Sequence, residues 1–355
     1  MRVIRRILAR LRDEQRGAVL MIVALCLMVF LGMLVLTVDL GRGVAYKRQV
    51  VNGTDAAALA AAQQCALGNG SVAAQTEANQ VLAQNVDLAV AITNIDMPEC
   101  DSPEGTELKT VTVTTNADIQ YFFAPIFGVA DGDIATHAVA IWGVAAAANP
   151  IPITVDLQQL LDCGIVPGSP PDPDVPIECP LEYPKDTLQE PRWGVLDFEH
   201  WGDPDAAPCS VSAAELKDMI DGGGFEEGVE LNGEPPGSEP TMTCVDNGLS
   251  FSVWDSMEGK TLIFPVVDIQ TSTGTVKPGG GSEPCTGADI PALKAQGQDC
   301  EIDTVNVIAW VVLTVQNVDQ NGATVTFDSN TELTTSGGLP GGTIDFGVRA
   351  VRLVD

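Results

Sequence analysis

The sequence predicts an α+β protein: a single N-terminal transmembrane helix, a small helical α+β membrane-proximal domain, and a β-rich, disulfide-stapled extracytoplasmic domain. Three observations predict it. Residues 18–38 form an apolar run without a charge, residues 44–148 pass from Ala-rich helical stretches into alternating strands, and eight cysteines accompany Val-rich segments further along. The divisions that follow are a basic segment at 1–17, a span at 18–40, a membrane-proximal domain at 41–148 and an outer domain with long Pro, Gly and Asp-rich loops at 149–355.

The run from Ala18 to Val38 has only Thr37 as a hydroxyl, and its 21 residues make about 32 Å of helix, enough for the hydrocarbon core of a bilayer. Residues 1–17 carry Arg2, Arg5, Arg6, Arg10, Arg12 and Arg16 against Asp13 and Glu14, a net of +4. Basic flanks stay cytoplasmic and long downstream domains translocate, so the N-terminus is expected inside and everything after about Gly41 outside. A cleaved signal peptide fits less well. The run is longer than a signal core, and the segment VDLGRGVAY after it offers no clean small-x-small site.

From residue 51 onward, 9 Lys and Arg face 45 Asp and Glu, a net of −36, so electrostatics argue against nucleic acid as a partner. Acidity of this kind is first a solubility feature. Cys26 lies in the span. The others are Cys65, Cys100, Cys163, Cys179, Cys209, Cys244, Cys285 and Cys300, an even set without a CxxC, which reads as disulfides in an oxidising compartment. Eight cysteines allow on the order of a hundred connectivities. Pairing neighbours (65 with 100, 163 with 179, 209 with 244, 285 with 300) closes Gly, Pro or Asp-rich loops, and each closure is worth about 3 to 4 kcal/mol in the chain-entropy model.

Along the chain, residues 44–66 are helix formers interrupted at Asn52 and Gly53, so Thr54 or Asp55 is expected to start a fresh helix. A second helix is expected at 71–85, with Val72, Thr76, Asn79 and Leu82 as its stripe. Residues 108–119 and 133–144 alternate as strands; residues 120–129, QYFFAPIFGV, read as a short helix broken near Pro125 or a buried apolar turn. Residues 164–190 and 221–240 read as long loops. Between them Ser212 and Glu215 form a capping box ahead of a short helix over 210–223. Strands are expected at 249–255, 261–270, 305–318, 323–329 and 345–355, and 305–318 is apolar on both faces, as a central strand should be.

No catalytic, cofactor-binding or metal residue is assigned, and no small-molecule substrate. The two histidines, His137 and His200, lie outside any HExxH pattern; there is no GxSxG elbow, P-loop or phosphate-cradling GxGxxG. The pairs Asp131 and Asp133, Asp172 and Asp174, and Asp203 and Asp205 lack the spacing of a calcium loop and read as acidic turns.

With these residues laid out, residues 14–66 resemble the N-terminal module of the TadE/TadG-like proteins of Flp (Tad, type IVb) pilus assembly. The features that carry the resemblance are Gln15-Arg16-Gly17 leading into the span, Asp39 and Gly41 at its outer end, Arg48-Gln49, and the stretch Asp55-Ala56-Ala57-Ala58-Leu59-Ala60. The segment GVADGDIATHAVA also resembles the family's strand near the end of its first domain. Past residue 150 the likeness is a general one, to the Cys-bearing outer regions of actinobacterial relatives. Pilins and pseudopilins of this class carry Glu five residues after a Gly cleavage site, whereas Ile22 stands there after Gly17. That departure favours a TadG-like retained component. The resemblance implies a non-enzymatic structural protein of the bacterial cell membrane, with one span, N-terminus in and C-terminus out. Its implied partners are pilin or other Tad/Flp pilus components. A reading of another class is a stand-alone adhesin or receptor with an acidic head.

Overall fold

The computed structural model describes residues 2–87, 89–102, 105–168, 176–182, 195–196, 198, 201, 211–225, 228–231, 241–246, 253, 255–277, 283–319, 322–327, 332–333, 342 and 344–354. The chain is α+β, and its contacts divide it into two units. Unit one holds residues 1–56, 79–95 and 113–138; unit two holds 57–78, 96–112 and 139–355.

In unit one the first helix, α1 (Arg2–Ala66), carries the apolar run. It is the one described helix long and apolar enough to cross a membrane. Every residue from Val19 to Leu31 is exposed, so the apolar side chains face outward on all sides of the helix and pack against no protein. α1 does not stop at Asn52-Gly53, where a fresh start was expected. A Cβ on Gly53 would stand 2.4 Å from Val86 Cγ2 and 3.3 Å from Leu82 Cδ1, so the glycine admits a close neighbour to a continuous helix and does not break it. That neighbour is the end of α2 (Gly70–Asn85) and the residue after it. The buried positions of α2 are Ala74, Ala78 and Leu82, spaced by four; of the expected stripe Leu82 is buried, while Val72, Thr76 and Asn79 are exposed.

Three strands complete unit one: β1 (Val90–Asp96), the second half of β2 (Lys109–Gln120) and the first half of β3 (Asp131–Val144), adjacent in that order. β2 alternates strictly, with Val113, Thr115, Ala117 and Ile119 buried and Asn116, Asp118 and Gln120 exposed, the period-two pattern of a strand covered on one face. β1 went unread in the sequence because its VAITNID is only partly buried.

In unit two the end of β3 pairs antiparallel with β15 (Val348–Val354), and β14 (Glu332–Leu333) lies parallel beside β15. An eight-stranded sheet centres on β10 (Thr261–Lys277) and β12 (Asp299–Asp319), paired antiparallel from Thr261↔Thr314 to Lys277↔Asp299. β12 is buried on both faces. Ala309, Val311, Leu313 and Val315 join one hydrophobic cluster with Phe264 and Leu160, and Trp310 and Val312 join the other with Ile269 and Phe198. Val307 belongs with the second set, because a bulge between Val266 and Val267 skips Ile308 and shifts the alternation by one. The sheet continues through β13 (Gly322–Phe327) to β6 (Ile177–Glu182), with β5 (Val155–Asp156), β9 (Thr241–Asp246), β7 (Val195–Leu196) and β11 (Pro284–Thr286) on its branches; α3 (Leu157–Asp162) follows β5, and β4 (Ala147–Ala148) pairs with β8 (Val229–Glu230). β6 and β9 run through stretches expected to be loop or left unassigned; both earn their strand geometry by pairing with distant partners, β6 with β13 and β9 with β12. Within the strand expected at 249–255, Asp255–Met257 is instead a 3-10 turn, and 249–252 and 254 lie outside the described residues.

The short helix α4 (Ala213–Gly222) begins as its capping box predicts: the Glu215 N–H donates to Ser212 Oγ at 3.2 Å, and the Ser212 N–H donates to the Glu215 carboxylate at 3.4 Å. It ends at Gly223, φ 84°, in the left-handed region.

Candidate functional site

The residues that the sequence singled out gather along α1. Asp39 stands one residue past the apolar run and is buried. Its carboxylate accepts from the backbone N–H groups of Phe122 at 2.9 Å, of Phe123 at 3.0 and 3.3 Å, and of Ala124 at 2.7 Å. Those groups open the 3-10 helix Ala124–Phe127, whose own N-cap residue, Phe123, gives no side-chain cap. A carboxylate from a distant helix therefore takes the capping role, through charge-assisted bonds that a neutral side chain matches poorly. One turn on, Arg42 donates to the Tyr46 hydroxyl at 2.9 Å and lies 5.7 Å from the centroid of the Phe122 ring, within cation-π reach.

Higher on α1, the Gln49 side-chain amide donates to Asp87 at 3.0 Å. Thr54 Oγ1 lies 2.7 Å from Thr115 Oγ1 inside unit one, and also donates to the Val50 carbonyl. Asp55 and Ala56 are half-buried there. In unit two Ala57 and Ala58 are fully buried and Leu59 is half-buried. Gly17 lies within α1. The sequence signalled these positions on α1 but not their partners; Phe122 to Ala124 are more than 80 residues from Asp39. The one hint was an acidic side chain at the end of an apolar run beside an unexplained apolar loop.

The cysteines act as staples. Cys65 is bonded to Cys100, Cys163 to Cys179 and Cys285 to Cys300. Beside the first bond, Asp101 receives the Ser71 N–H at 2.7 Å and the Ser71 hydroxyl at 2.8 Å at the start of α2. The backbone N–H, and then the hydroxyl, hold the Asp101 carboxyl below the ordinary carboxylate range. Cys209 lies outside the described residues, Cys244 is in β9, and Cys26 is a free thiol exposed in the apolar run.

Among the described residues no cluster of three His, Cys, Asp or Glu could hold a metal ion. His137 is exposed on β3, as are Asp131 and Asp133; His200 and the pairs 172/174 and 203/205 lie outside the described residues. Unit two has a cleft of about 830 Å³ between Phe198, Trp201 and Phe225, with Glu215, Asp218 and Glu230 at its edge. Among the described residues that line it, no nucleophile is paired with a base.

Residues 17–64 match the family described as Flp pilus-assembly TadE/G-like, and residues 43–140 match the Tad-like Flp pilus-assembly family. Over residues 17–140 the chain is similar to these Tad families. The matched residues hold the Asp39 cap, the Gln49–Asp87 pair, the Thr54–Thr115 contact and the loop that Asp39 grips. Both families are described by a role in Flp pilus assembly. No curated protein and no solved structure matches the chain.

Proposed function

We propose that this protein is a Tad-family, membrane-anchored structural component of Flp pilus assembly, acting through protein-protein contacts of an extracytoplasmic region. The observation that carries the proposal is a Tad module built on a helix whose apolar residues, Val19 to Leu31, are exposed all round. A surface of that kind is satisfied by lipid and costly in water. Six arginines in the first 16 residues favour a cytoplasmic N-terminus, and disulfides at 65–100, 163–179 and 285–300 suit an oxidising space outside. In this reading residues 1–17 are cytoplasmic, 18–40 cross once, 41–148 form the membrane-proximal domain, and 149–355 form the outer domain that meets pilin or sister components. Ile22 in place of Glu favours retention over release by a prepilin peptidase.

The test is chemical crosslinking in intact cells followed by purification of the full chain. Pilin or other components of the same pilus machine should be recovered with it. Recovery of host-surface or matrix molecules instead, with no pilus component, would favour the adhesin reading.

A further inference from the structure

The connection between β2 and β3 is an exposed apolar loop on unit one. Residues 121–130, YFFAPIFGVA, contain no charge in a region that is otherwise strongly acidic. The loop is closed at its base by the Tyr121 N–H donating to the Ala130 carbonyl at 3.1 Å, and turns at Gly128, φ 87°. Phe122 is 67% exposed, Ile126 75% and Val129 50%, a concentration of bare apolar side chains that isolated surface residues do not explain.

Two contacts fix where this loop lies along α1. Thr115 meets Thr54, and Phe122 meets Asp39. Going from Thr54 to Asp39 descends α1 by about 22 Å at the helical rise. Going from Thr115 to Phe122 covers about 23 Å of extended chain. The two lengths agree, so β2 runs antiparallel to α1 and delivers the loop to the level of Asp39, one residue from the apolar run. α1 itself stays apolar on its surface just beyond that level, with Leu40 59% and Val44 54% exposed. Arg42 stands beside the Phe122 ring at the same height, a cation where lipid phosphates lie.

We infer that residues 121–130 are a membrane-interface anchor, seating Phe122 and Ile126 in the headgroup boundary of the leaflet where α1 emerges. This rests on the membrane reading of α1. Apolar and aromatic side chains gain at that depth, and a second lipid contact beside the span fixes the tilt and rotation of the unit relative to the bilayer. The Asp39 cap is then the clamp that holds the anchor at its depth. It needs no partner protein, because a loop fixed at the mouth of a span meets lipid first.

The full chain, reconstituted into phosphatidylethanolamine and phosphatidylglycerol vesicles with an alkyne-tagged phosphatidylethanolamine, tests this. A photoreactive benzoylphenylalanine replaces Phe122, Ile126, Phe30 or Asn116, one at a time. Phe30 is in the apolar run, and Asn116 is exposed on β2 about 20 Å further up. Tagged-lipid adducts are expected at 122, 126 and 30 and lost at 116. Lipid adducts at 30 but none at 122 and 126 would overturn the anchor while leaving the span intact, as would adducts at 122 and 126 to a second copy of the chain. Loss of the adduct at 30 as well would overturn the membrane reading itself.

Discussion

Replacing Gly53 by Ala separates a tertiary role for this glycine from ordinary helix propensity. In an exposed helix interior Gly→Ala stabilises by about 1 kcal/mol, since Gly is the poorer helix former. At Gly53 the new Cβ would meet Val86 Cγ2 at 2.4 Å, far inside van der Waals contact, and Val86 is a stiff β-branched side chain that is itself buried. Overpacking of this kind costs about 1 to 3 kcal/mol, so the net change is a destabilisation of up to about 2 kcal/mol. Gly43 is the control: the same helix, with nothing within 4 Å of its added Cβ. The assay is urea unfolding of the full chain in detergent, with hydrogen exchange of the Leu82 and Val86 amides as the local probe. Gly43→Ala should stabilise, Gly53→Ala should destabilise, and Val86→Ala added to Gly53→Ala should recover part of the loss through a favourable coupling. Stabilisation by Gly53→Ala equal to that of Gly43→Ala would refute the packing account of the continuous helix.

Asp39→Ala leaves the N–H groups of Phe122, Phe123 and Ala124 without their acceptor, so hydrogen exchange at 122–124 should rise sharply while exchange around Thr54 changes little; equal change at both sites would mean a global effect. The Asp101 carboxyl is lowered in the folded chain, so its contribution is complete above the unfolded value near 3.8 and is lost as pH falls through the folded one. Exchange protection at the start of α2 should therefore fall in acid, and Asp101→Asn should remove that pH dependence. Cys163→Ser should add one thiol, at Cys179, to the free thiol of Cys26 on peptide mapping without reductant; a thiol at Cys65, Cys100, Cys285 or Cys300 would show that the pairs exchange.

What the sequence revealed and what it hid divide along physical lines. The long apolar helix, the alternating β2, the two-faced β12 and the capping box of α4 are written in local periodicity or in residues three apart, and the structure has each of them. Gly53 misled because a glycine that breaks a helix and one that admits a neighbour are the same letter; only Val86, 33 positions away, tells them apart. β6 and β9 were hidden for a similar reason. Their strand geometry comes from β13 and β12, and neither ECPLE nor TMTCV announces it. The tail of β10 past Ile269 is Thr, Ser and Gly, weak in apolar signal, yet it is held by pairing with β12 and β11. At the candidate site the sequence pointed to positions on α1. The loop they hold was legible only as an apolar oddity, since the bond from Asp39 to Phe122 spans 83 positions.

As proposed, this chain works as an anchored part of a pilus machine. Counting Flp pili by electron microscopy tests it most directly, in cells lacking the gene and in cells complemented with the full chain or with a chain lacking residues 18–40. Pili should be lost on deletion, return with the full chain, and stay absent when the apolar run is missing. Unchanged pilus numbers on deletion, or full restoration by the chain without its run, would contradict the account.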